Sequence, residues 1–265
     1  MNIYKQGKKI TTKIMSIKKI IAIGGGEIGR PGYPVQTMKI DKEIITQTGK
    51  KNPKLLFIPT ASNDSEGYTQ VVKKHFGRRL GCKVEILNLI KEKPSKKEIE
   101  RKILSSDIIY VGGGNTLKMM TIWKRTGTDQ ILKKAHEKGI VMSGLSAGSI
   151  CWFKYGNSDS RKFTSGSKEL IKVRGLGLIN ALHCPHYDVE KYRQKDLKRM
   201  MKTTPGVAIA LENCTALELI DDKYRILKSN KDAKAYKIYW KKNKYYKEEI
   251  KQEKEFKPIK FLLKK

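Results

Sequence analysis

The stretch Val141-Met142-Ser143-Gly144-Leu145-Ser146-Ala147-Gly148-Ser149-Ile150 constrains the fold more than any other part of the chain. A short apolar run ends at Gly144, a single serine follows, and small residues lead into Ile150-Cys151-Trp152-Phe153. This reads as a buried strand, a sharp turn and the first turn of a helix. Gly144 and Gly148 stand in the G-x-S-x-G spacing of a nucleophile elbow, where glycines relieve crowding around a strained, reversed backbone. Ser146 then projects its hydroxyl above the carboxyl ends of the strands. The Ala147 amide, at the new helix N-terminus, points to where an oxyanion forms. A Gly/Ser-rich turn that only packs tightly has the same pattern, so the rest of the chain has to decide.

Strands and helices alternate on both sides of that turn. Apolar runs at Ile20–Ile23, Lys54–Pro59, Lys83–Leu87 and Asp107–Val111 predict buried strands. Helical patterns at Lys42–Thr48, Tyr68–Leu80, Lys96–Leu104 and Thr128–Lys138 fall between or after them. Such spacing predicts an α/β fold with a mainly parallel, doubly wound sheet covered on both faces. Two glycine clusters end strands. Gly24-Gly25-Gly26 lacks a G-x-G-x-x-G continuation and reads as a close-packed turn rather than a phosphate cradle. Gly112-Gly113-Gly114-Asn115-Thr116 repeats the strand, tight loop and helix pattern, so its amides line a site beside the elbow. Beyond the elbow, Tyr155–Gly177 reads as a long polar excursion and Ala235–Trp240 as the last strand.

The 265 residues suffice for one α/β domain with appendages. Met1–Ile14 is basic but has no apolar signal core, and is expected to be a disordered extension with Met15 as an alternative start. Residues 15–265 are expected to form the single domain, with a β-rich, lysine-rich appendage from about 221. No apolar run approaches the ~20 residues of a membrane span, which points to the cytoplasm and to no membrane partner. Cys82, Cys151, Cys184 and Cys214 form no C-x-x-C pair, and with four histidines in the chain no metal or cofactor site is expected. The formal charge of +31 would suit phosphates. No nucleic-acid motif accompanies it, and a solvated lysine-rich surface explains it better. The oligomeric state stays open between monomer and homodimer.

A serine nucleophile needs a base, and the base needs an orienting partner. His75 and His136 fall within charged helices and read as surface residues. His183 and His186 follow the apolar run Leu178–Leu182, where loops converge on the elbow. His186, after Pro185, is the better base, and His183 reads as structural. Glu212, at the carboxyl end of Val207–Leu211, is the first choice for the orienting acid, with Asp188 and Asp159 as competitors.

Three motifs in this order, Gly112–Thr116, Gly144-Leu145-Ser146-Ala147-Gly148 and Pro185-His186-Tyr187, resemble the S51 serine peptidases, which include dipeptidase E and cyanophycinase. The resemblance covers roughly Ile20–Ile220. It implies a three-layer α/β/α sandwich similar to class I glutamine amidotransferases. It implies Ser146 as nucleophile, His186 as base, Glu212 as orienting acid and the amides of Gly114 and Ala147 as the oxyanion hole. No metal is implied. Asn115 and Arg193 are the substrate-binding candidates, Arg193 for the carboxylate of an N-terminal aspartate. The function expected is a serine exopeptidase acting on short peptides. The alternatives are a cyanophycinase-like hydrolase, an amidase or esterase on a non-peptide acyl group, and a non-enzymatic polyanion-binding protein.

Overall fold

The computed structural model describes residues 16–163, 165–189 and 191–265. In chain order the elements are β1 (Lys19–Ile23), α1 (Met38–Thr46), β2 (Lys54–Ile58), α2 (Glu66–Val72), β3 (Lys83–Ile86), α3 (Lys96–Leu104) and β4 (Ile108–Val111). There follow α4 (Thr116–Thr126), α5 (Thr128–Glu137), β5 (Val141–Leu145), α6 (Ala147–Ile150), β6 (Phe153–Ser158), β7 (Ile171–Arg174) and β8 (Ile179–Cys184). The last group is α7 (Lys191–Lys202), β9 (Ala208–Leu211), β10 (Thr215–Ile220), β11 (Lys223–Lys228), β12 (Ala235–Lys241), β13 (Lys244–Glu249), β14 (Lys257–Pro258) and α8 (Ile259–Leu263).

Two mixed sheets form. The first has the order β14-β11-β10-β1-β5-β4-β2-β3. Its half from β1 to β3 is all parallel, and β10, β11 and β14 extend it antiparallel beyond β1. Side-chain alternation along these strands explains why both faces are buried. Ile20, Ala22, Leu56, Ile58, Ile109 and Val111 pack on one face with Ile103 of α3, Trp123 of α4 and Leu132 of α5. Ile21, Ile23, Leu55, Phe57, Ile108 and Tyr110 pack on the other with Ile40 and Ile44 of α1, Val72 of α2 and Phe76 of the π-helical turn that follows. The elbow strand β5 lies between β1 and β4, so the loops after all three strands meet at one place.

The second sheet, β13-β12-β9-β8-β6-β7, is also mixed, and α7 packs on it through Leu197 and Met201. It accounts for two departures from the sequence expectation. The stretch Tyr155–Gly177 is not all loop, because β6 and β7 pair antiparallel within it. Ala235–Trp240 is not the last strand, because β12 turns at Lys242-Asn243 into β13. Four of the six residues of β13 are charged, which hides its periodicity, and as an edge strand it can leave them in solvent. Residues from 221 on, expected as an appendage, supply β11 and β14 to the first sheet and β12 and β13 to the second. The expected extension at 1–14 lies outside the described residues. Among those described, no helix is long and apolar enough to cross a membrane.

His75 and His136, expected at the surface, are both buried. The His75 Nε2 lies 2.8 Å from Asp41 Oδ2, which also accepts from the Thr37 hydroxyl at 2.7 Å.

Candidate active site

Ser146 links β5 to α6 with φ 57° and ψ −112°, a left-handed region that a side-chain-bearing residue occupies only under constraint. The constraint is visible. The Ser146 amide donates to the Ile23 carbonyl at 3.1 Å, and its own carbonyl accepts from the amides of Ser149 and Ile150 at 2.9 and 3.0 Å. A β-carbon at Gly148 would collide with the Val111 carbonyl, so glycine lets the new helix press against the end of β4. The result is a half-buried serine hydroxyl presented at the carboxyl ends of the parallel strands.

His186 reaches that hydroxyl. Its Nε2 lies 2.8 Å from Ser146 Oγ. The residue follows β8 and sits on the first glycine cluster, where its amide donates to the Gly24 carbonyl at 3.0 Å. A β-carbon at Gly25 would collide with both His186 Nδ1 and Asn213 Oδ1. The Gly24–Gly26 turn is therefore the floor on which the imidazole and its partner rest, and glycine is required there for close approach.

That partner is Asn213, not Glu212. His186 Nδ1 lies 2.8 Å from Asn213 Oδ1. The Asn213 amide nitrogen donates to Asp188 Oδ1 at 2.9 Å, so Asp188 anchors the backbone behind the histidine. The Glu212 carboxylate instead accepts from the Lys234 amide at 2.7 Å and from the Tyr236 hydroxyl at 3.4 Å. The cause is strand parity. Ala208 and Ala210 of β9 face the core that contains Tyr236, while Ile209 and Leu211 face the other core. Glu212 continues the Ala210 side, and Asn213 turns to the opposite one. Asp159, the other competitor, pairs with Arg193.

Beside the serine, the Gly112–Asn115 loop divides its roles. A β-carbon at Gly113 would stand 3.4 Å from Ser146 Cβ and 3.9 Å from its Oγ, so Gly113 faces the nucleophile. Gly114 has φ +135° and presses against the Ala61 carbonyl. Ala147, buried, opens α6 on the other side. Asn115 is buried and engaged in structure: its Oδ1 accepts from the Lys118 amide at 3.0 Å as the N-cap of α4, and its Nδ2 donates to the Ser160 carbonyl at 3.4 Å.

A cleft of about 800 Å³ opens from the site, lined by Gly113, Leu145 and His186 together with Ile28, Tyr68 and Val71. Arg30 and Lys74 bring positive charge to its wall, with Arg30 paired to Glu27. Arg193 is not among its lining residues. It is 1% exposed, donates to the Asn157 carbonyl at 3.2 Å and lies 3.3 Å from Asp159 Oδ2, so it ties α7 to the end of β6. Expected to read a substrate carboxylate, Arg193 is instead held inside by Asn157 of β6 and by Asp159 just after it.

His183 is fully buried behind the elbow. Its Nδ1 lies 2.9 Å from the Ile209 carbonyl and its Nε2 2.8 Å from the Ser149 hydroxyl, which is itself 2.7 Å from the Ser146 carbonyl. Phe153 stacks on the ring at 4.5 Å. Burial drives its pKa down to about 3, although the Ile209 hydrogen bond opposes the shift. A buried neutral histidine stabilises the fold fully above its unfolded value of ~6.5, and that stability is lost as pH falls towards 3. Denaturant melts at pH 7 and pH 5 should differ by ~2 kcal/mol from this residue. His183→Gln should reduce that difference, and an unchanged pH slope in the variant would show that other groups set it.

Residues 20–227 match the family model described as Peptidase family S51. The uncharacterized peptidase YgaJ of Bacillus subtilis (strain 168) is 34% identical over 226 residues, covering 84% of this chain and 92% of the relative. Peptidase E of Nostoc sp. (strain PCC 7120) is 25% identical over 77% of this chain and 84% of its own length. A crystal structure of a peptidase from an acI-B1 actinobacterium shares the fold, with a TM-score of 0.67 at 20% identity over 91% of this chain and 97% of that one. The matched span holds the elbow, the histidine that meets it and the glycine loops between them, and on that match the chain belongs to peptidase family S51, a family of serine peptidases.

Proposed function

We propose that this peptidase is an exopeptidase that hydrolyses short peptides through an acyl-enzyme on Ser146. The observation that carries the reading is the 2.8 Å approach of His186 Nε2 to the hydroxyl of a serine held at φ 57°. His186 Nδ1–H donates to Asn213 Oδ1, which leaves the Nε2 lone pair facing Ser146. An Asn in this role has precedent in the Cys-His-Asn arrangement of papain-like proteases. Ser146 Oγ bonds to the scissile carbonyl carbon as its proton passes to Nε2, and the carbonyl π pair moves onto oxygen. The amides of Ala147 and of the Gly113-Gly114 segment stabilise that charge, at ~3 kcal/mol for a typical donor. Collapse breaks the C–N bond, and Nε2 returns the proton to the leaving amine. Water, deprotonated by the same nitrogen, then cleaves the ester and frees the serine.

The cleft of about 800 Å³ suits a peptide of a few residues. An N-terminal aspartate remains one candidate substrate, but Arg193 is not the residue to read it. A panel of di- and tripeptides, each free and N-acetylated, tests the proposal by quantifying released amino acids. Cleavage that requires the free N-terminus is expected. Turnover of esters or non-peptide amides alone, or of an aspartyl-arginine polymer alone, would replace the exopeptidase reading with one of its alternatives.

A further inference from the structure

Tyr68 lines the cleft beside Gly113 without a part in the steps above. Three features fix it. Its amide donates to the Ser65 hydroxyl at 3.3 Å in the N-cap of α2, which sets the direction of the first turn. Its ring meets Phe57 edge-on, with centroids 5.1 Å apart. The same ring lies on Gly112, where a β-carbon would come within 2.9 Å of Tyr68 Cε1. So held, the phenolic oxygen accepts from the Gly113 amide at 3.3 Å, and Gly113 is the glycine that faces Ser146. Tyr68 and Gly113 line the same cleft as Leu145 and His186.

We infer that the Tyr68 hydroxyl is a side-chain donor of the oxyanion hole, giving its hydrogen bond to the substrate oxygen beside Gly113. The inference rests on Ser146 being the nucleophile. A phenol that accepts from Gly113 still has its own proton to donate. Burial pushes its pKa up to about 12, helped by the nearby Glu27 carboxylate, so the group stays protonated wherever the imidazole is an effective base. The resting contact of 3.3 Å is long for a hydrogen bond, and a substrate oxygen that enters beside the amide gains two donors where the amide had one weak acceptor. As the Ser146 Oγ–C bond forms and the carbonyl pair moves to oxygen, Tyr68 strengthens its hydrogen bond without releasing its proton. A donor aimed at developing charge in this way acts on kcat rather than on ground-state binding.

The test is the second-order rate of inactivation by a fluorophosphonate, whose P–O oxygen takes the oxyanion position, in wild type, Ser146→Ala and Tyr68→Phe. Wild type should label, and Ser146→Ala should not. Tyr68→Phe keeps the ring on Phe57 and Gly112, so it should melt with the wild type, yet label ~10²-fold more slowly. On a cleaved peptide its kcat should fall by a similar factor with KM within about threefold. Labelling of Tyr68→Phe within threefold of wild type, or faster, overturns the inference, since the hydroxyl would then only pack or occlude. Loss of folding in Tyr68→Phe overturns it too, because it would make the hydroxyl a structural group. A wild type that does not label refutes the serine reading beneath, a distinct outcome because all three proteins would then be inert.

Discussion

Ser146→Ala should lower kcat by about 10⁴- to 10⁶-fold and leave the melting transition in place. The variant removes one half-buried oxygen whose named partner is His186 Nε2. The strained φ of 57° is held by backbone contacts to Ile23, Ser149 and Ile150, which alanine keeps. Alanine meets the same left-handed strain as serine, so the fold neither gains nor loses much at this position. Residual turnover above a few per cent of wild type would show that the elbow is a packing turn and that the chemistry lies elsewhere.

His186→Ala should approach the same severity, because no other described imidazole contacts the serine hydroxyl. His183 sits beneath the elbow on the Ser149 side, with its Nδ1 engaged by the Ile209 carbonyl, and has no route to Ser146 Oγ. The flanking residues then separate two models of the orienting group. With Asn213 in that role, Asn213→Ala should reduce kcat by ~10- to 10³-fold through loss of the productive tautomer, while Glu212→Gln should change it less than threefold. Asn213→Asp should retain or raise activity, since a carboxylate in the same place also stabilises the imidazolium. Steady-state kinetics on one cleaved peptide decides the matter: a severe loss in Glu212→Gln with a mild one in Asn213→Ala would restore Glu212 as the orienting acid.

Much of this molecule could be read from its residues, for reasons that also explain what could not. Parallel strands buried on both faces appear as apolar runs, so β1, β2, β4 and β5 are legible, and the elbow marks the strand at which they converge. The second sheet is not legible, because β6 and β7 carry polar residues and join across an intervening excursion, and β13 is mostly charged although it pairs with its hairpin neighbour β12. His186 was recognisable from the loop that holds it. On sequence alone the orienting group is sought only among acids, Glu212 with Asp188 and Asp159, whereas the side chain the fold sets against His186 Nδ1 is the neutral Asn213. Continuing the inward and outward pattern of Ala210 and Leu211 by two residues leads to the side chain that meets His186. Arg193 was misleading for the opposite reason: seven residues beyond His186 it falls on the buried side of α7, where Asp159 and the Asn157 carbonyl receive it. Tyr68 gives no signal, since its place depends on a phenylalanine of β2 and on the glycine that follows β4.

The central claim is that one serine, activated by His186, becomes acylated. Peptide mapping by mass spectrometry after inactivation with diisopropyl fluorophosphate tests it most directly. The account predicts a single covalent adduct on Ser146, formed in the wild type and absent from His186→Ala. An adduct on Ser143, Ser149 or another residue, or a wild type that remains unmodified, would contradict it.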